Sequence, residues 1–296
     1  MLTISIPTYN RAEMLDQTLA AIASWSGELK DVPLRVHDNA STDDTPNIVD
    51  KWKAHFGDRL TVLRHSRNLG LIGNYISCID KCTTAYVWIM GDDDKVNEAG
   101  AQATLHTLSA NSSTGILALN YRPVSGSTHR ELKPAALPAD MNQRFPNGRD
   151  FVEACQRYEY GSLMFITAVV LRCEIARNIL SQNQVPRESL ALPFYISAAC
   201  AAETGAKLVP DVVFDGIYGV GSWRKSAFTV FNLDLPEALM VLVKKHDFSK
   251  GLLDSFLARY AIKLFRPSRY ALKHPCLWWR AFRMMRTAQA TQREIK

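Results

Sequence analysis

The sequence predicts an α/β protein with a mostly parallel sheet and a helical extension at its C-terminal end. Three observations carry this expectation. Short apolar, β-branched runs alternate with helix-period segments over the first 120 residues. Four successive runs end in polar clusters. Beyond Asp234 the pattern is helical, and basic residues accumulate there.

The elements follow in order. "LTISIP" (2–7) is a strand, and "RAEMLDQTLAAI" places Leu15, Leu19 and Ile22 on one helical face. "LRVH" (34–37) is the second strand, followed by a helix with Ile48, Val49, Trp52 and Phe56 on one side. "LTVLRH" (60–65) and "AYVWIM" (85–90) flank a helix with Ile72, Tyr75, Ile76 and Ile79 apolar, and "GILALNY" (115–121) is a fifth strand after another helix. Strand–helix–strand at this spacing requires right-handed crossovers and a parallel sheet. Residues 122–149 hold four prolines and predict an irregular surface excursion. A helix (150–158), a strand near 163–171 and a helix (174–182) resume the pattern. Another helix, "ESLALPFYISAACAAE", precedes the strand "AKLVPDVVF", and "DGIYGVGSWRKS" (215–226) is expected to be a glycine-rich loop.

The bulk numbers exclude several classes. At 296 residues, 47% hydrophobic and 22% charged, the chain is globular rather than disordered. No run reaches about 18 apolar residues, so no spanning helix is expected. The first residues lack the pattern of a signal peptide. The six cysteines are scattered; Cys78 and Cys82 lie one helical turn apart without a second Cys/His pair, so they are expected to be free thiols in a reducing cytoplasm. The net charge of +6 is uneven: residues 259–296 carry ten Lys/Arg against Glu294 alone, which is +9 and leaves the rest at −3.

The polar clusters carry the functional signal. "PTYNR" (7–11), "HDNAST" (37–42), "HSRNLG" (65–70) and "GDDD" (91–94) each close a predicted strand. In an open α/β sheet those ends converge on one crevice, where ligands bind. Singly, each has a plainer reading: Asn10 as a helix cap, Thr45–Pro46 as an N-cap and N1 pair, Ser41 with Asp44 as a capping box, "GDDD" as a solvated loop before a helix. Neither glycine-based phosphate cradle is present. A nucleotide would therefore be held through a divalent cation on "GDDD", whose charge would offset the mutual repulsion of Asp92, Asp93 and Asp94.

With "SIPTYNR", "HDNASTDDT", "RNLGLIGNYI" and "WIMGDDD" in this order, the first 120 residues resemble the inverting family 2 glycosyltransferases. The resemblance implies a mostly parallel, Rossmann-like sheet of the glycosyltransferase A type. The remainder is most similar to bacterial O-antigen and capsule transferases of the abequosyltransferase type. Expected domains are a catalytic domain over 1–230, with a nucleotide-sugar half (1–120) and an acceptor half (121–230), and a basic helical extension over 231–296. The resemblance places Pro7, Thr8 and Tyr9 against base and ribose of a nucleoside diphosphate sugar, with Arg11 from the same loop counted among the nucleotide ligands. Asp38 would accept a hydrogen bond from the base, with Asn74, Arg67 and Asp93 nearby. Asp92 and Asp94 would hold Mn²⁺ or Mg²⁺, and Arg224 or Lys225 would fold over the diphosphate. The acceptor would be a glycan or a lipid-linked oligosaccharide.

One departure stands out. Relatives carry a Glu-Asp pair whose acid is the general base; counted back from Gly205, that pair falls on Pro193 and Phe194. The role then passes to Glu188, Glu203 or Asp215, of which Glu188 is nearest. In the tail, Trp278, Trp279, Phe282 and Met285 alternate with Arg280, Arg283 and Arg286, which suits a helix lying on an anionic bilayer or, alternatively, one docked on the core with a solvated basic face. A peripheral position on the inner face of the plasma membrane is therefore expected. A sugar nucleotidylyltransferase is disfavoured because "PTYNR" lacks glycines. A non-catalytic nucleotide-sugar-binding module remains the alternative, and no motif supports a nucleic-acid partner.

Overall fold

The computed structural model describes residues 1–219, 223–264 and 275–294, and only the backbone of 223–225 and 260–264. Seven strands form one sheet in the order β3-β2-β1-β4-β6-β5-β7. They are β1 Leu2–Thr8, β2 Leu34–Asp38, β3 Leu60–Arg64, β4 Tyr86–Ile89, β5 Ile116–Ser125, β6 Val169–Arg172 and β7 Ala206–Tyr218. The first four pair in parallel, and Thr8 stands beside Asp38, which stands beside Arg64. β6 alone is antiparallel to its neighbours, and β5 pairs in parallel with β7.

Residues of β1 and β4 are buried almost throughout because helices cover both faces, which is why these strands read as unbroken apolar runs. β3, at the edge, exposes Thr61, Val62 and Arg64 and buries Leu60. The helices are α1 Ala12–Ala23, α2 Thr45–Phe56, α3 Gly70–Asp80, α4 Glu98–Ala110, α5 Met141–Arg144, α6 Gly148–Tyr158, α7 Cys173–Ser181, α8 Leu192–Thr204, α9 Trp223–Thr229, α10 Leu235–Lys245, α11 Lys250–Leu264 and α12 Pro275–Glu294. α8 is buried from Leu192 to Ala201, packed between α6, α7 and α10. That explains its lack of an amphipathic pattern.

Three expectations need correction. The strand near 163–171 is only Val169–Arg172, because Leu163 and Met164 are buried in a turn instead. The 215–226 segment is not a loop at its start: β7 runs on to Tyr218 against the far half of β5. Gly216 permits this, since a Cβ there would lie 2.6 Å from the Tyr121 ring. The excursion begins only after Ser125, beyond a bulge at Asn120 whose amide bonds Leu137 and Pro210. Among the described residues, one helical run, Ser226–Lys245, is long and apolar enough to cross a membrane. It crosses a π-helical stretch, Val230–Asp234, and Leu235, Leu239 and Leu242 are buried against the core.

α6 approaches α8 closely at Gly148, where a Cβ would sit 1.8 Å from the carbonyl oxygen of Ala201. Two backbones meet there, and neither has a flexible atom to move. Gly148→Ala should therefore destabilise the fold by about 3 kcal/mol or more, read as a lower urea midpoint at unchanged slope; an unchanged midpoint would show that the helices can separate freely.

Candidate active site

The parallel strands all point their carboxyl ends to one edge, and the four polar clusters meet there. The central side chain is Asp92, 3% exposed just beyond β4. Thr8, the last residue of β1, donates its hydroxyl to Asp92 Oδ2 at 2.7 Å. Thr18 of α1 donates to the Asp92 carbonyl at 2.8 Å. Arg11 sets a positive charge between two of the three acids. Its guanidinium forks, Nη1 donating to Asp92 Oδ1 at 2.5 Å and Nη2 to Asp93 Oδ2 at 2.7 Å. Burial works against the Arg11 charge, but Asp92 and Asp93 outweigh it and leave its pKa above the usual value.

Asp94 differs. It is half-buried, and no cation lies within ion-pair distance of it among the described residues. Thr167 donates its hydroxyl to Asp94 and accepts the Gly91 amide at 2.8 Å. Burial, with the charges of Asp93 and Asp92 adding, outweighs the Thr167 hydrogen bond and the charge of Arg11 and pushes the Asp94 carboxyl up to about 6.

The second and third strand ends form a connected wall. Asp38, 2% exposed, accepts the Ser41 amide at 2.9 Å and lies 3.3 Å from Arg64 Nε. Asn74 donates to the His37 carbonyl at 2.9 Å, and its Oδ1 accepts from His65 Nε2 at 3.1 Å. Asn10 sits in the left-handed region (φ 52°). It is not a cap: its amide bonds Ser41 Oγ at 2.9 Å and its Oδ1 accepts the Thr42 amide at 2.7 Å, tying the β1 loop to the β2 loop. Ser41 likewise caps nothing; the N-cap position of α2 is Asp44, not Thr45, and it makes no side-chain cap.

The other nucleotide candidates are placed as follows. Pro7 pairs with His37 across β1 and β2. Tyr9 is 41% exposed at the crevice rim. Arg67 is exposed on the loop after β3. The side chains of Arg224 and Lys225 lie outside the described residues.

The base candidates separate by sheet polarity. β6 runs against the parallel strands, so α7 returns to the carboxyl edge and α8 starts there. Glu188, in the connection, is exposed at that edge. Glu203, near the end of α8, stands at the opposite edge, and the fold does not bring it to the crevice. Asp215 is engaged by Arg122 at 2.8 and 2.9 Å, and alternation on β7 points it away from Tyr218. Pro193 and Phe194 are buried.

Buried His37 gives a pH signature. Burial pushes its pKa down to about 3, with the charges of Arg35 and His65 adding. A folded value below the unfolded 6.5 means that this stability is present above pH 6.5 and lost as pH falls toward 3. Urea midpoints should fall between pH 7 and 4.5, and His37→Gln, which cannot bind that proton, should flatten the decline. An equally steep decline in the variant would assign the effect elsewhere.

Thr167 and Thr18 were not foreseen, since neither lies in a strand-end cluster and each meets the aspartates only through the fold. Among the described residues no group of three or more His, Cys, Asp or Glu side chains converges on one point. A divalent cation here would take two carboxylates from the chain and complete its shell with phosphate oxygens and water, a usual arrangement for Mg²⁺. The cation-free carboxylate of Asp94 fits that requirement.

Fold and crevice together define an α/β protein of the glycosyltransferase A architecture. Superposed on the crystal structure of S. aureus TarS 1–349, the chain gives a TM-score of 0.67 at 13% identity, covering 97% of this chain and 80% of that one. Against the same protein in complex with UDP-GlcNAc the score is 0.64 at 13% identity, covering 98% and 88%. The mannosyltransferase PcManGT from Pyrobaculum calidifontis, in complex with GDP-Man and Mn²⁺, scores 0.56 at 16% identity, covering 98% and 86%.

The family model for glycosyl transferase family 2 matches residues 3–179, and the chain belongs to that family. It is 34% identical over 94 residues to abequosyltransferase RfbV of Salmonella typhimurium, a stretch covering 32% of this chain and 28% of that protein. It is 30% identical over 105 residues to a GalNAc(5)-diNAcBac-PP-undecaprenol β-1,3-glucosyltransferase of Campylobacter jejuni, covering 35% and 33%. The matches thus span about a third of the length of these curated relatives.

Proposed function

We propose that the chain transfers a sugar from a nucleoside diphosphate sugar to a hydroxyl of a glycan or lipid-linked acceptor, in the synthesis of a bacterial surface polysaccharide. The observation that carries this reading is Asp94, a half-buried carboxylate without a partner cation beside Asp92, at the crevice where four strand ends meet. The relatives named above, an abequosyltransferase and a glucosyltransferase whose name carries a PP-undecaprenol glycan, support the substrate class.

In this proposal Asp38 accepts from the base, the exposed Tyr9 ring packs on it, and Pro7, Thr8 and Asn74 shape the wall around base and ribose. Arg11 and Arg67 face the phosphates, with Asp93 beside them. Arg224 is proposed to close over the diphosphate. Asp92 and Asp94 would hold Mn²⁺ or Mg²⁺, which when bound stabilises the charge building on the leaving diphosphate. Breaking the bond between anomeric carbon and phosphate oxygen leaves positive charge on the sugar, so the crevice must exclude water until the acceptor arrives. Inversion needs a base at the acceptor hydroxyl, and Glu188 stands at the right edge for it.

Mn²⁺-dependent hydrolysis of UDP-, GDP-, CDP- and dTDP-sugars tests the reading. A transferase leaks slowly to water with one of them; a binding module binds one and hydrolyses none, and that outcome would overturn the proposal.

The C-terminal helix is proposed to rest on the cytoplasmic face of the plasma membrane. Ala281, Met285 and Ala288 of α12 are buried, whereas Arg280, Arg283 and Arg286 are exposed, as is Trp279 at 59%. Tryptophan flanked by arginines suits an anionic interface. The protein should co-sediment with phosphatidylglycerol vesicles, and Trp279→Ala with Arg283→Ala should weaken this about tenfold, since each cation contributes about 1 kcal/mol. Equal binding to neutral phosphatidylcholine vesicles would contradict it.

A further inference from the structure

A hydrogen-bond relay runs along the β5–β7 end of the same edge. Lys133 donates to the Tyr158 carbonyl at 3.0 Å and to Glu159 Oε2 at 2.5 Å. Tyr218 donates its hydroxyl to Glu159 Oε1 at 3.2 Å, so at the 2.8 Å contact between the two tyrosine hydroxyls Tyr121 is the donor. Phe165 packs on both tyrosine rings, with centroids at 5.2 and 5.3 Å. Two residues on, Thr167 holds Asp94. Through the packing of Phe165 and the chain from there to Thr167, the relay leads to the carboxylate of Asp94.

Beside Lys133 lies a hollow of about 400 Å³, lined by residues 133–139 and Tyr158. The hollow is shallow and open to solvent; its wall is proline and alanine apart from Leu137, and the Ala136 and Leu137 amides are held by the Tyr121 carbonyl and the Asn120 side chain. Lys133 lines the hollow and Glu159 lies just behind it, held by Lys133, and their unused valences are complementary. Lys133 has three N–H donors and spends two; the Glu159 carboxylate accepts about four hydrogen bonds and has two in place. One donor and spare acceptors, side by side, match a hydroxyl that accepts from one and donates to the other. A ring of adjacent hydroxyls with an apolar face, resting on Tyr158 and the prolines, satisfies both surfaces.

We propose that this hollow binds a neutral hexose unit of the acceptor glycan, with Lys133 and Glu159 gripping its hydroxyls. The proposal rests on the transferase reading for the word acceptor, while the sugar site itself stands on the hollow and its valences. It gives the acceptor half of the chain a definite subsite, with Lys133 and Glu159 as positioning residues that hold the acceptor sugar.

Saturation-transfer NMR with methyl α-D-glucoside, -galactoside, -mannoside and α-L-rhamnoside on the full chain tests it. The wild type should show transfer to at least one glycoside. Lys133→Met and Glu159→Gln should each reduce it at least tenfold, and Ala135→Phe, which fills the hollow without touching the relay, should abolish it. Nucleoside diphosphate thermal shifts should stay unchanged in all three. No transfer to any glycoside in the wild type, or equal transfer in Ala135→Phe, would overturn the proposal. Glycoside binding without any nucleotide response would instead sink the transferase reading and leave the sugar site standing.

Discussion

Asp94→Asn should lower sugar-nucleotide turnover by about 10²–10³-fold while making the ligand-free protein more stable at neutral pH. The two effects have one cause. Thr167 gives Asp94 a hydroxyl donor, yet burial and the neighbouring acids disfavour its charge, and Arg11, which is not paired with it, compensates only in part. An asparagine keeps the oxygen that accepts from Thr167 and removes the partly compensated charge, a gain on the order of 1–2 kcal/mol. It also removes a hard anionic donor, and loss of one charge-stabilising group typically costs about 2.7–4 kcal/mol of transition-state stabilisation. Steady-state turnover with Mn²⁺ and a urea titration without it read the two halves separately. Full activity in the variant would take Asp94 out of the chemistry; reduced stability would mean that its charge is satisfied in a way the geometry does not provide.

Arg11→Met should act in the opposite sense, destabilising the ligand-free protein by about 2 kcal/mol. Removing one partner of a buried ion pair commonly costs about 3–5 kcal/mol, and the figure is reduced here because Arg11 is 38% exposed and water screens the pair. Methionine keeps the aliphatic stem, so the loss reports the fork onto Asp92 and Asp93. Added Mn²⁺ should restore part of the midpoint, because a second cation then meets the same carboxylates. A variant as stable as the wild type, with no response to Mn²⁺, would mean that Asp92 needs no counter-charge.

Much of the fold was legible because burial on both faces writes itself as unbroken apolar runs, as in β1 and β4. The polar strand ends were legible for the complementary reason: only the carboxyl edge of such a sheet faces ligand and water. What escaped was long-range. Arg11 meets Asp92 across 81 residues, and Thr167 meets Asp94 across 73, with no local pattern to announce either contact. Arg11 supplies a positive charge among the acids, reaching Asp92 and Asp93 but not Asp94. The antiparallel sense of β6 was hidden too, because hydrophobic alternation does not encode pairing direction, and the buried turn at Leu163 and Met164 imitates a strand. Sheet polarity, once known, sorted Glu188 from Glu203 where spacing alone had not.

Calorimetric titration of UDP, GDP, CDP and dTDP into the wild type and Asp94→Asn, each with and without Mn²⁺, tests the central claim most directly. The account predicts that one nucleotide binds the wild type at least tenfold more tightly with Mn²⁺, and that the variant loses this increment while keeping the metal-independent affinity. Identical isotherms for the two proteins in Mn²⁺, or tight binding of none of the four, would contradict it.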